Sequence, residues 1–145
     1  MSFEPHGDYE LQRCGQVVIV RPIGSWNHER MESFSLMLLN EFMPPLLEKP
    51  WASLTDIRRW EFTLPDAFDI VKQNQEWAWA NGMIRQAIII SDVMQKELYD
   101  IRGGMMNHEN TRYFENEEDA WEWFTGEGFP KINCEPVLSS FDEEQ

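Results

Sequence analysis

The chain has 145 residues, 42% of them hydrophobic and 13% aromatic, enough apolar matter for one core and too little length for two ordinary domains. Its 26 acidic and 12 basic residues give a net charge of −14, which repels phosphate backbones and anionic membrane surfaces and argues against nucleic-acid binding. No run approaches the roughly 20 apolar residues of a membrane span, and the acidic first seven residues lack the apolar stretch of a signal peptide.

Residues 1–8 read as a disordered lead-in. Residues 9–14 alternate apolar and polar, as a half-buried strand does, and Gly15-Gln16 breaks the chain before the buried strand opened by Val17-Val18-Ile19-Val20. The pair predicts an antiparallel hairpin whose ladder weakens at Pro22, which has no N–H to donate. Asn27 is placed to cap a first helix with Met31, Phe34, Leu38 and Phe42 on one face, and Pro44-Pro45 ends or kinks it.

Residues 51–58 form a third strand, followed by a loop or ragged strand end through Trp60. Thr63, Pro65 and Asp66 have the chemistry of a helix start, and the helix they open places Ala67, Ile70, Val71, Trp77 and Ala78 on one face before stopping at Asn81-Gly82. Next comes the stretch on which the fold is centred, Arg85-Gln86-Ala87-Ile88-Ile89-Ile90-Ser91-Asp92. Its four consecutive apolar residues, three of them β-branched, predict a central strand buried on both faces, with Ile88 and Ile90 both covered.

Ser91 or Asp92 then caps a third helix with Met94, Leu98 and Ile101 on one face, ended by Gly103-Gly104. Residues 111–114 form a short fifth strand. Asn116 caps a last helix whose acidic first turn suits the helix dipole and whose Ala120, Trp121 and Phe124 face inward. The remainder, 126–145, reads as an acidic, loose tail with one docked segment. From residue 115 onward ten acids face one Lys, a net of −9. Cys14 and Cys134, the only cysteines and far apart, read as small hydrophobes with reduced thiols in a cytoplasmic protein.

The prediction is one α/β domain over residues 9–125 with a mixed, mainly parallel five-stranded sheet and helices on both faces. Two local patterns sharpen it: Leu54-Thr55-Asp56-Ile57-Arg58-Arg59-Trp60 at the end of the third strand, and the closing run from Arg112-Tyr113-Phe114 to Ala120-Trp121-Glu122-Trp123-Phe124. Over residues 9–124 the chain resembles the STAS-like, or SpoIIAA-like, bacterial proteins, relatives of the anti-sigma-factor antagonists. The resemblance implies this fold and a regulatory role through protein contacts. In the antagonists an Asp-Ser-Ser-Gly stretch after the third strand carries a phosphorylatable Ser. Here the place reads Phe62-Thr63-Leu64-Pro65-Asp66, so that signature is absent, and Thr63, the hydroxyl nearest to it, reads as a helix cap.

Candidate chemistry is sparse. His28-Glu29 has no nucleophile or third triad member beside it in sequence; His108-Glu109 has no second ligand at metal spacing; His6 lies in the lead-in; and no glycine-rich phosphate loop follows a strand. No metal or cofactor is expected. The expectation is a non-catalytic binding module acting through a protein partner in a bacterial cytoplasm. Its edge lies beyond the carboxyl ends of the parallel strands, where Trp26, Arg58, Arg59, Trp60, Thr63 and Ser91 are the candidate partner-binding residues. Arg58 and Arg59 make a positive island in an acidic chain, and Trp60 beside them is an anchor of the kind that dominates interfaces. Two rival readings are a carrier of a small apolar or lipid-like ligand, which a deep apolar pocket would favour, and an enzyme using His28 with Asp92 or Asp56.

Overall fold

A computed structural model describes residues 4–61, 67–93, 95–97 and 109–140. The five expected strands form as β1 (Asp8–Cys14), β2 (Val17–Ser25), β3 (Trp51–Asp56), β5 (Met83–Ile89) and β6 (Thr111–Phe114), and two short ones join them, β4 (Trp60–Glu61) and β7 (Leu138–Ser139). Among the described residues the sheet is therefore mixed with seven strands, not five. Its order is β6-β5-β3-β2-β1-β7, with β4 attached to the far end of β2. The β2/β3, β3/β5, β5/β6 and β2/β4 pairs are parallel, and β1 runs antiparallel to both β2 and β7.

The Ile-rich run is not the middle strand. β5 lies one place in from the edge strand β6, and β2 and β3 hold the centre. The run is apolar on both parities because helices cover both faces at that position. Ile88 and Ile90 are buried on one face, Ala87 and Ile89 on the other.

Three helices are fully described: α1 (His28–Met37), α2 (Ala67–Ala80) and α3 (Glu117–Gly126). The Asn27 side chain accepts from Arg30 N at 3.0 Å and that of Asn116 from Asp119 N at 2.8 Å, so both expected caps form. α1 loosens into a wide turn (Leu38–Phe42) ahead of Pro44-Pro45, whose rings cannot continue an α-helical ladder, and the chain leaves through the short 3₁₀ turn Pro44–Leu46. At Gly82 the chain adopts φ of +101°, and a Cβ there would press on Trp51, whose Nε1 donates to Asn81 O at 2.8 Å. Asp92 Oδ1 accepts from Gln95 N at 2.8 Å, capping a helical turn at 93 and 95–97; the expected inward face of that helix, with Met94, Leu98 and Ile101, and its Gly103-Gly104 end lie outside the described residues.

α1 and α2 cover one face of the sheet and α3 the other. The first core joins Tyr9, Leu11, Met31, Phe34, Trp51 and Val71 among others, and Phe68 of α2 belongs to it as well; the side chain of Ala67, expected on the inward face, lies outside the described residues. The second joins Val17, Ile19, Leu54, Ile89, Trp121 and Phe124. The described residues toward both ends are better tied than expected. His6 N donates to Asn27 Oδ1 at 2.9 Å and Asn27 Nδ2 to Glu4 O at 2.8 Å, so residues 4–7 are docked and not a loose lead-in. Phe129 is buried, and a disulfide joins Cys14 to Cys134, overturning the expectation of two separate thiols.

Candidate functional site

The parallel strands under α1 and α2 present short side chains: Val18 and Val20 from β2, Ser53 and Thr55 from β3. The side chains of α1 and α2 do not fill the space above this floor, and a slot remains there. It consists of two adjoining hollows of about 80 Å³ and about 60 Å³ that share Val20, Leu38, Thr55, Asn74 and Gln75. The outer hollow opens toward the carboxyl ends of the strands and is walled by Trp26, Met31, Phe34, Trp60 and Val71.

Its walls are fixed from several sides. Trp26 packs edge-on against Phe34 at 5.1 Å and Trp60 at 5.6 Å between ring centroids, and its Nε1 donates to Asp8 O at 2.9 Å. Gly7, at φ of +96°, lies against the same indole, where a Cβ would collide with Cδ1. Three polar side chains interrupt the apolar lining. Asn74 Oδ1 accepts from Ser35 Oγ at 2.8 Å and so links α2 to α1. Gln75 Oε1 accepts from Gln86 Nε2 at 2.9 Å, and Gln86 Oε1 from Thr111 Oγ1 at 3.1 Å. Gln86 is only 1% exposed, so this relay is a satisfied polar group inside the core, ending at the slot. Thr55 is the third polar group.

On the α3 face the same end of the sheet is charged. Arg21 forms a two-pronged pair with Glu117, both contacts 2.9 Å, and Arg58 another with Asp56 at 2.9 and 2.6 Å. Arg59 meets Glu10 at 3.0 Å. Burial pushes the Asp56 carboxyl up, but hydrogen bonds from Arg58, with Glu117 alongside, more than offset this and leave it below the ordinary carboxylate range. The hydrogen bond to Glu117 raises Arg21 further above its usual value, and that to Asp56 does the same for Arg58.

Of the six residues singled out from sequence, the five described ones do not share one surface. Trp26 and Trp60 are brought together, but at 3% and 8% exposure they are walls of the slot and not an exposed anchor. Arg58 and Arg59 fall on the opposite face, each engaged with a carboxylate of the same chain, because the turn after β3, closed by Trp60 N to Ile57 O at 3.1 Å, reverses the side on which successive residues emerge. Ser91 is exposed at the end of β5, its N and Oγ both directed to Gln95 Oε1 at 2.9 and 3.1 Å. Thr63 lies outside the described residues, as does His108.

The histidine-carboxylate arrangement does not form. His28 Nε2 lies 2.9 Å from Glu32 Oε1 one helical turn away, both side chains more than half exposed, while Asp56 and Asp92 are held by Arg58 and Gln95. Among the described residues no group of three or more His, Cys, Asp or Glu side chains could hold a metal ion, and no helix is long and apolar enough to cross a membrane. The slot itself was missed from sequence. The available signal was Ser53, Thr55 and Gln86, polar residues inside otherwise apolar strands.

Among the described residues, a mixed sheet with parallel crossovers, α1 and α2 on one face and α3 on the other defines the architectural class. No family model matches the chain, and no curated protein does. Among solved structures it is similar to an uncharacterized protein of the DUF3478 family with a SpoIIAA-like fold from Shewanella loihica, at 23% identity and a TM-score of 0.59, over 85% of this chain and 98% of that one. The chain has a SpoIIAA-like fold.

Proposed function

We propose that the chain is a non-catalytic regulatory module of a bacterial cytoplasm, and that it works by taking an apolar side chain of a partner protein into the slot between α1 and α2. The observation that carries this reading is the slot itself, an apolar hollow at the carboxyl end of a parallel sheet, walled by Trp26 and Trp60. Its size argues for one anchoring group. Sites for whole small molecules run to about 300–1,000 Å³, whereas hollows of about 80 and 60 Å³ match a single buried side chain, the unit in which interface hot spots are built. The SpoIIAA-like fold supports a regulatory role by analogy only.

A second reading rests on Thr55, Asn74 and Gln75. A few polar groups in an apolar lining are how small-ligand sites fix orientation, and an apolar cavity of about 150 Å³ can hold one benzene ring. The ligand would be ring-sized, too small for the lipid chain that a carrier would hold.

Filling the slot tests both. Val71→Trp should abolish capture of a protein partner from a native bacterial extract, while Arg59→Ala should leave capture intact. If capture survives Val71→Trp, the slot is not the receptor. A gain in melting temperature with millimolar benzyl alcohol, absent in Val71→Trp, would favour the small-ligand reading over the protein one.

A further inference from the structure

The segment 134–140 lies along β1 with little packing beneath it. Cys134 bridges to Cys14 as an antiparallel pair, Glu135 N donates to Arg13 O at 2.8 Å, and the Glu135 carboxylate pairs with the Arg13 guanidinium. Leu138 and Ser139 then pair with Leu11 and Glu10, and Ser140 Oγ accepts from Tyr9 N at 3.0 Å. Between this strap and the end of α1 sits a hollow of about 320 Å³, lined by Met37, Glu41 and Phe42 on one side and Glu135, Pro136 and Leu138 on the other. Only Ser140 of the segment is fully buried. Among the described residues the strap is held by edge hydrogen bonds, the Arg13–Glu135 ion pair, the half-buried Leu138 and the covalent bond at its start.

The two cysteine residues differ in exposure. Cys14 has 0% exposure, and Cys134 is exposed. A thiol arriving from solvent therefore meets the Cys134 side of the bond. We propose that Cys14–Cys134 is a reversible redox site at which a dithiol reductant opens the bond and releases the strap from β1. The reductant thiolate attacks Cys134 Sγ and forms a mixed disulfide, and Cys14 leaves with the electron pair and takes up a proton. The second reductant thiol then attacks the mixed disulfide, closing the reductant's own disulfide and freeing the Cys134 thiolate, which also takes up a proton. Two electrons and two protons pass to the protein. Release bares the edge of β1, which in the closed state is covered by β7.

The test uses the full chain oxidised with diamide, then titrated with dithiothreitol under native conditions. Thiol alkylation reports opening of the bond, and hydrogen exchange by mass spectrometry reports the fold. The expected result is that both cysteines become alkylated without unfolding, that amides in 135–140 exchange at least tenfold faster, and that those of β5 are unchanged. Cys134→Ser should show the same fast exchange without reductant. The proposal is overturned if the oxidised protein has two free thiols, if the bond resists dithiothreitol until the whole chain unfolds, or if 135–140 stays protected after reduction. Should Cys134→Ser fail to fold, the wild-type titration alone decides.

Discussion

On the α3 face of the sheet the strands present Ala52 and Ala87, whose single methyl groups let Trp121 and Phe124 sit close, and the ring of Phe124 meets those of Trp121, Trp123 and Phe129 at 5.7, 5.3 and 6.4 Å. On the α1/α2 face the same strands present Ser53, Thr55 and Gln86, and the aromatic residues stand around a slot. Both faces are apolar enough to drive folding, yet on one the aromatic rings pack on one another and on the other they wall a slot. The α3 face is thus built for stability, and the α1/α2 face gives up some dispersion energy to keep the slot.

The largest expected effect lies on the filled face. Phe124→Ala removes a fully buried ring from a site whose neighbours are themselves rigid aromatics, and should cost about 3–5 kcal/mol in urea unfolding. A cost below about 1 kcal/mol would show that this face relaxes as easily as the other.

The charged closure of that face should give the next largest effect and a pH signature. Asp56→Asn leaves Arg58 without its two-pronged partner and should cost about 1.5–3 kcal/mol at neutral pH. Because the folded carboxyl titrates below its unfolded value of about 3.9, its stabilisation is fully present above that pH and is lost as the pH falls through the lower folded value. The difference in stability between wild type and Asp56→Asn should therefore be flat from neutral pH down to about 5 and shrink below about 4. A difference that grew on acidification would mean that Asp56 is not the ionised partner of Arg58.

Much of this was legible in the sequence where short-range rules decide. Asn27 and Asn116 cap their helices, Ala120, Trp121 and Phe124 turn inward at helical spacing, and Ile88 and Ile90 are both buried. What escaped depends on contacts distant in the chain. β4 and β7 have two residues each, too few for any periodicity, and form because β2 and β1 offer free edges. Cys14 and Cys134 meet across 120 residues, a distance over which spacing says nothing. Arg58, Arg59 and Trp60 are adjacent in sequence, which suggests one surface, but the turn at 58–59 sends the tryptophan into one core and the arginines to carboxylates on the other side.

Small-to-large substitutions separate the faces directly. Ala120→Leu pushes extra carbon into the close-packed side, where overpacking typically costs about 1–3 kcal/mol. Val71→Leu adds one methylene beside the outer hollow, which has room for it, and should change stability by less than about 1 kcal/mol in either direction. Equal penalties for the two would remove the basis for calling the slot a receptor, since the α1/α2 face would then be as tightly filled as its opposite.

The smallest effect is expected at Arg59, and it decides whether the charged edge of the α3 face is more than a closure. Its side chain is 60% exposed, and its contact to Glu10 at 3.0 Å is an open surface pair. Such pairs contribute about 0–1 kcal/mol because water screens the attraction and two long side chains lose freedom in making it. Arg59→Ala should accordingly shift the urea midpoint barely at all, and the shift should vanish in 1 M salt, where the screening length is about 3 Å. Arg58, by contrast, is anchored on buried Asp56, and Arg58→Ala should cost distinctly more at both salt concentrations. If Arg59→Ala proves as costly as Arg58→Ala, then Glu10, Arg59 and the Asp56 cluster act as one network, and the α3 face is stiffer at its edge than its individual pairs imply.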